Sequence, residues 1–363
     1  MKADHGGNIY EASRSSSRDK AAVWLDYSAN INPLGLAASV RQAMIQSLEL
    51  VIHYPDVEAY ELKQAISLRY AIQSTMITVG NGAVELLYVL CHVIKPHTAL
   101  VMAPTFSEYE RAAYGAGAKV FYYSLSAEKD FAVDIAALLC QIKSLQPDIV
   151  FLCNPNNPTG TLMKLEEIAA IASAAAELQS FVVVDESFLD FLVLADWTCQ
   201  SLLKNFSNII IAHSLTKFYA VPGLRLGFAL ASESLTKELH ASKDPWNVNS
   251  IAQCAGVAAL ADVDYAERSR TYLKQEKNIF YQALLLIPGI KPYPPAVNYI
   301  LIDISHSGFT ASELRQAMIK RQILIRDCSN YQGLGNAYVR LAVKCHEQNQ
   351  LVIQALQSII KGE

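Results

Sequence analysis

Short apolar runs that end in polar residues recur along the first two thirds of the chain. Ala99–Met102, Lys119–Tyr123, Ile149–Cys153, Phe181–Val184 and Ile209–Ile211 are apolar or β-branched stretches with the length and composition of strands. Ahead of the first of them lie stretches of helical period: Ala37–Leu50, Tyr60–Tyr70 and an apolar run through Ile94. Strands alternating with helices predict an α/β fold with a mostly parallel, doubly wound sheet and a site at its carboxyl edge. Near Trp246 the pattern changes. A long helical stretch runs to Leu286, followed by strands near Tyr299–Ile304 and Tyr338–Val343, which predicts a smaller α+β lobe. The expected division is a large domain over residues 48–245, with residues 1–47 and 246–363 forming an N-terminal arm and the small domain.

Composition narrows the function classes. The chain has 363 residues, 52% hydrophobic and 18% charged, with a net charge of −4, so a large core is expected and neither a nucleic-acid nor a membrane partner is. No apolar run reaches the ~20 residues of a membrane span. Met1–Lys20 is polar and lacks an apolar signal core. Seven cysteines are scattered without a C-x-x-C pair, which suggests no metal site and no disulfide framework, and a reducing cytoplasm is expected.

The chemistry concentrates in Ile209–Phe228. Its apolar strand stops in His213, Ser214, Thr216 and Lys217, followed by Pro222, Gly223, Arg225 and Gly227. Hydroxyls and a guanidinium at a strand end are anion donors. Burial and the neighbouring Arg225 both favour the free amine of Lys217, the form that attacks an aldehyde. A phosphate-bearing aldehyde beside a nucleophilic lysine describes pyridoxal 5′-phosphate. Ser214-x-x-Lys217 also fits the pattern of serine acyltransferases, but the companion S-D-N and K-T-G motifs do not occur.

Further pieces of such a site stand elsewhere. The glycine-rich turn before the apolar helix offers the backbone of Gly82, Ala83 and Val84 to a phosphate. Phe106, just past a strand end, could stack on a flat ring or belong to the core. Asn154-Pro-Asn-Asn-Pro-Thr-Gly160 is a rigid loop in which Asn157 can donate to the ring's phenolate oxygen. Asp185 at a strand end can hold a proton on the ring nitrogen, or cap a helix. His5-Gly6-Gly7-Asn8 and the asparagines of Asp26–Gly35 are either ordinary turn residues or an anion site.

N-x-x-N-P-T-G, V-V-D-E, S-x-T-K and G-x-R-x-G, in that order, resemble the fold-type I pyridoxal-phosphate aminotransferases across the whole chain. Within that superfamily the chain is similar to histidinol-phosphate aminotransferases. It is nearer still to the L-threonine-O-3-phosphate decarboxylases of cobalamin synthesis, through H-G-G-N at 5–8, S-A-N-I-N-P-L-G at 28–35, P-W-N-V-N at 245–249 and I-L-I-R-D-C-S-N-Y at 323–331. The resemblance implies Lys217 as catalytic residue and decarboxylation of a phosphorylated amino acid, O-phospho-L-threonine, with histidinol-phosphate transamination as the alternative. It implies a homodimer in which Tyr54 reaches the neighbour's cofactor phosphate. It further implies Arg340 on the substrate carboxylate, Arg326 with His5–Asn8 on its phosphate, and Asn32 in an arm closing over the substrate. One position departs from the aminotransferase pattern: Phe188 replaces the usual tyrosine three residues after the cofactor aspartate. The role of Lys344 is open.

Overall fold

A computed structural model describes residues 5–15, 24–193 and 197–362. Residues 1–4 and 16–23 of the expected arm, and with them the two ends of the polar Met1–Lys20 stretch, lie outside the described residues, as do residues 194–196 and 363.

The arm contains the helix Ile9–Ser15 and a two-residue strand, β1 (Leu25–Asp26). Seven strands then build one sheet: β2 (Ile77–Gly80), β3 (Thr98–Ala103), β4 (Lys119–Ser124), β5 (Ile149–Cys153), β6 (Phe181–Asp185), β7 (Ile209–Ser214) and β8 (Gly227–Leu230). Their order in space is β2-β8-β7-β6-β5-β3-β4. Pairings from β7 through β4 are parallel, and β8 runs antiparallel to both β7 and β2. Every residue of β5 and β7 is buried, as expected of strands covered by helices on both faces. Alternation divides these strands between two cores. Val150, Leu152, Val184, Ile209 and Ile211 face one cluster, and Ile149, Phe151, Val183 and Ile210 face the other.

The second sheet is antiparallel, formed by β9 (Lys291–Pro292), β10 (Tyr299–Asp303), β12 (Arg326–Asp327) and β13 (Tyr338–Ala342). The strand β11 (Ile323–Leu324) pairs in parallel with β1 and ties the arm to this part of the chain. No helix among the described residues is long and apolar enough to cross a membrane.

Several elements differ from expectation. The helix from residue 37 stops at Gln46 and passes into a 3-10 turn, Leu48–Ile52. The long stretch to Leu286 is two helices, Ser250–Ala261 and Val263–Leu285, broken at Asp262. The Asp262 carboxylate accepts from Tyr265 N at 2.9 Å and so caps the second helix. The expected division at residue 245 falls between the two sheets. Ser250–Ala261 lies against the helices Ala38–Gln46 and Tyr60–Tyr70.

The strands β2 and β8 were masked in sequence by their terminal glycines, and one of those glycines positions the site. A Cβ on Gly227 would sit 2.5 Å from Ala83 N and 2.7 Å from His213 O, both backbone atoms. Only glycine lets β8 lie against the start of the helix Ala83–Ile94 and bring that helix terminus to the end of β7.

Candidate active site

The carboxyl ends of β5, β6 and β7 converge on one cavity wall. The strand β6 ends in Asp185, which is 4% exposed. A carboxylate this deep needs donors, and it has them: Tyr109 Oη donates to Oδ2 at 2.7 Å and Ser187 N to Oδ1 at 2.8 Å. Tyr109 comes from the helix Glu108–Gly115, and its ring stacks on Phe151 of β5 at 5.6 Å and 13°. Burial, then the charge of Asp185, pushes the Tyr109 phenol well up, so it stays a donor.

Lys217 follows β7 by three residues, and its Nζ donates to Ser214 Oγ at 3.0 Å. Ser214 Oγ also bonds Thr216 Oγ1 at 2.7 Å. The lysine's accessible surface is cavity wall, while the amine itself lies deep, 5.7 Å from the Phe188 ring. Burial pulls the amine down to about 8; Arg225 adds to this, and Asp185 opposes it.

The helix Ala83–Ile94 starts here with no side-chain cap on its first N–H groups, and unpaired helix-start amides attract anions. Gly82 sits at φ +83, and a Cβ there would lie 2.5 Å from Arg225 Nη2. The guanidinium and the helix start thus share one cradle. Ala83, Val84, Phe106, Tyr109, Asn157, Asp185, Phe188 and Lys217 line the adjoining slot.

That slot opens into a cavity of about 530 Å³ that also reaches His5, Gly6, Gly7, Thr216, Arg225, Arg326 and Arg340. Arg340 is 4% exposed and Arg326 5%. Arg340 Nη1 donates to Asn157 Oδ1 and Nη2 to Ser28 O at 2.7 Å. Its Nε is buried with no partner. Arg326 Nη2 donates to Asn330 Oδ1 at 2.8 Å, and the guanidinium lies 5.1 Å from the Tyr331 ring centre. Asn157 Oδ1 accepts from Arg340 and from Tyr331 Oη, which leaves its NH₂ group as a donor toward the slot.

The structure therefore brings together most of the residues singled out in the sequence, while Asn32, Asn8, Tyr54 and Lys344 stand outside this cavity. Asn32 does not line the cavity. Its Nδ2 donates to Phe218 O at 2.7 Å and Ser269 Oγ at 2.8 Å, and its Oδ1 accepts from Leu34 N. Two residues earlier, Asn30 is the one that lines the cavity, 5% exposed with a buried Oδ1 that has no partner. Residues two apart share a face on an extended segment, but here the chain turns tightly, with Ile31 N donating to Ala29 O at 2.9 Å, which parts the two asparagines; the sequence did not show which faced in. Asn8 is also spent elsewhere, exchanging bonds with the backbone and side chain of Glu11 at the start of the helix Ile9–Ser15. Tyr54 is 80% exposed against Trp246, outside its own chain's cavity. Lys344 is not among the residues lining the cavity. Sequence reasoning missed Tyr109, Ser187 and Glu108, and singled out Asn30 only as one of the two asparagines of Asp26–Gly35. Tyr109 lies three residues after Phe106, a spacing that could have marked it.

These residues fit pyridoxal 5′-phosphate. The uncapped helix start with Arg225 suits its phosphate, the slot between Phe106 and the strand ends suits a flat ring, and the buried Asp185 suits a protonated ring nitrogen.

Known proteins resemble this chain in both sequence and fold. The family model for aminotransferase class I and II matches residues 22–359. Over 361 residues the chain is 36% identical to a threonine-phosphate decarboxylase of Salmonella typhimurium, covering 99% of this chain and 97% of that protein. It is 35% identical to an adenosylcobalamin biosynthesis bifunctional protein of Leptospira interrogans, over 99% of this chain and 41% of that protein. Among solved structures, a histidinol-phosphate aminotransferase of Clostridium acetobutylicum matches with a TM-score of 0.86 at 29% identity. An L-threonine-O-3-phosphate decarboxylase of Porphyromonas gingivalis matches with a TM-score of 0.81 at 26% identity. Each match covers 93% of this chain, with 100% of the first structure's chain and 99% of the second's.

The Lys217 amine generates a direct test. In cofactor-free protein, its labelling by an amine-reactive reagent should rise with pH through a midpoint near 8, because only the deprotonated amine attacks. Mass mapping of the Lys217 peptide across a pH series checks this, and a midpoint above about 10, the ordinary lysine value, would contradict it.

Proposed function

The chain belongs to the aminotransferase class I and II family, and on that premise we propose that it is a pyridoxal-phosphate-dependent decarboxylase. Its substrate is O-phospho-L-threonine, and its products are CO₂ and (R)-1-aminopropan-2-yl phosphate, for cobalamin biosynthesis. The observation that carries this reading is the register of β12 on β13. Arg326 and Arg340 are direct cross-strand partners. Directly opposed side chains leave a sheet on the same face with Cβ atoms ~4.5–5.5 Å apart. The two guanidiniums can therefore address two anionic groups separated by a few bonds. O-phospho-L-threonine carries a carboxylate and a phosphate ester on adjacent carbons, whereas histidinol phosphate has a phosphate and no carboxylate. The fold does not separate the two activities, since solved structures of both kinds match closely.

In this reading Arg340 takes the carboxylate, with its unpartnered Nε available as a further donor. Arg326, Asn30 and the His5–Gly7 turn take the phosphate. Gly82, Ala83, Val84, Ser214, Thr216 and Arg225 hold the cofactor phosphate, Phe106 covers the ring, and Asn157 serves its phenolate oxygen, with apolar Phe188 in place of a second donor. When bound, the cofactor supplies an electron sink for the pair left behind by CO₂. Loss of CO₂ must be balanced by a proton added at Cα, and Lys217 Nζ, tuned to about 8, can carry it.

The proposal includes a cytoplasmic homodimer with shared sites. Seven free thiols suit a reducing compartment. Leu48, Val51, Ile52, Tyr54 and Trp246 are 51%, 62%, 76%, 80% and 46% exposed, an apolar group of the kind that marks an interface.

Two experiments test these statements. Purified enzyme with pyridoxal phosphate should release CO₂ and the amino-alcohol phosphate from O-phospho-L-threonine with no 2-oxoglutarate present; turnover that requires 2-oxoglutarate would make it a transaminase instead. For the dimer, Tyr54→Phe and Lys217→Ala proteins, each nearly inactive, should regain about a quarter of wild-type activity on equal mixing, since half the dimers are hybrids with one intact site. No recovery after demonstrated subunit exchange would argue against a shared site.

A further inference from the structure

Glu108 is buried, 7% exposed, just past Phe106 at the start of the helix Glu108–Gly115. Three donors converge on it. Tyr88 Oη reaches Oε2 at 2.9 Å, Arg111 Nη1 reaches Oε1 at 3.1 Å, and His5 Nε2 meets Oε1 at 2.7 Å. Tyr88 and Arg111 belong to the same lobe as Glu108. His5 comes from the arm, 103 residues away in sequence. It lines the large cavity, with its ring 5.6 Å from that of Phe106. Beside it, the arm backbone lies directly on residue 28, where Gly7 N donates to Ser28 Oγ at 2.8 Å.

We propose that Glu108 is a positioning residue for the substrate phosphate: it anchors His5 over the cavity and fixes which ring nitrogen is offered to the anion. This rests on the phosphorylated substrate of the preceding section. Its bond to His5, ahead of its other contacts, holds the Glu108 carboxyl at about 2, so the group is an acceptor throughout the working range. A carboxylate only accepts, so Nε2 must carry the hydrogen in this bond. Nδ1 is then the remaining polar atom of the ring, and when protonated it donates to an anion. Tyr88 and Arg111 brace Glu108 at the point where His5 meets it.

The test is a double-mutant cycle in the holoenzyme with O-phospho-L-threonine as substrate. Glu108→Gln keeps the shape and an oxygen for Tyr88, but with its NH₂ group at the Oε1 position it gives up the Arg111 bond and donates to Nε2 instead of accepting, so it no longer dictates the proton. KM should rise about tenfold, the scale of one charge-assisted bond, with kcat within about twofold. In a His5→Ala background the same substitution should add less than about twofold, because Glu108 acts through His5. Glu108→Asp, which withdraws the carboxylate from the arm while retaining charge, should show the same pattern if Glu108→Gln does not fold. An unchanged KM in Glu108→Gln, or effects that multiply in the double mutant, would overturn the proposal while leaving the assigned activity standing. A wild-type protein inert toward O-phospho-L-threonine would sink both.

Discussion

A carboxylate buried at the end of a central strand has to be satisfied where it stands, and Asp185 organises the site around that need. Its two oxygens take a phenol and a backbone amide, neutral donors that leave its negative charge in place. That charge pulls the Lys217 amine upward while burial and Arg225 pull it down, and the balance settles at about 8. A slot with a fixed anion at one end and a tuned amine beside it is electrostatically complementary to a pyridinium ring bearing an aldehyde. The sheet enforces this geometry. Parallel pairing of β5, β6 and β7 delivers Cys153, Asp185 and Ser214 to one edge, and Gly227 admits the helix start that completes the phosphate cradle.

The substrate end is built from other parts of the chain. Two buried arginines on the small antiparallel sheet, the 28–30 segment and the arm residues 5–7 enclose one cavity with Lys217. Arg340 is anchored by Asn157 and by the Ser28 carbonyl, so the proposed carboxylate clamp is braced on the 154–160 loop and on the arm's neighbour at once. Binding at this end draws on both lobes. On the proposed assignment, a substrate with two anionic groups close together would meet both guanidiniums.

The large sheet was legible because its central strands are continuous apolar runs and its site residues sit where those runs stop. Ile149–Cys153 and Tyr60–Tyr70 have the expected bounds. The strands β2 and β8 were not legible, since each is short and ends or begins in a glycine whose purpose is a tertiary contact. Lys217, Asp185, Asn157 and Arg225 carry motif signals and stand together as expected. Asn30 and Asn32 carry the same local signal, and only packing decides that Asn32 braces Phe218 and Ser269 while Asn30 faces the cavity. Tyr109 and Glu108 have no motif of their own; their partners, Asp185 and His5, are distant in sequence and meet them only in the folded chain.

The central claim is that Asp185 keeps a bound pyridine nitrogen protonated. It is tested most directly by ¹⁵N NMR of the protein reconstituted with pyridoxal phosphate labelled at the ring nitrogen. The account predicts a pyridinium shift that holds from about pH 6 to about pH 9 in the wild type and is lost in Asp185→Ala, because the opposite charge in a closed site favours the protonated form. A wild-type nitrogen that is unprotonated, or that titrates alike with and without the Asp185 carboxylate, would contradict it.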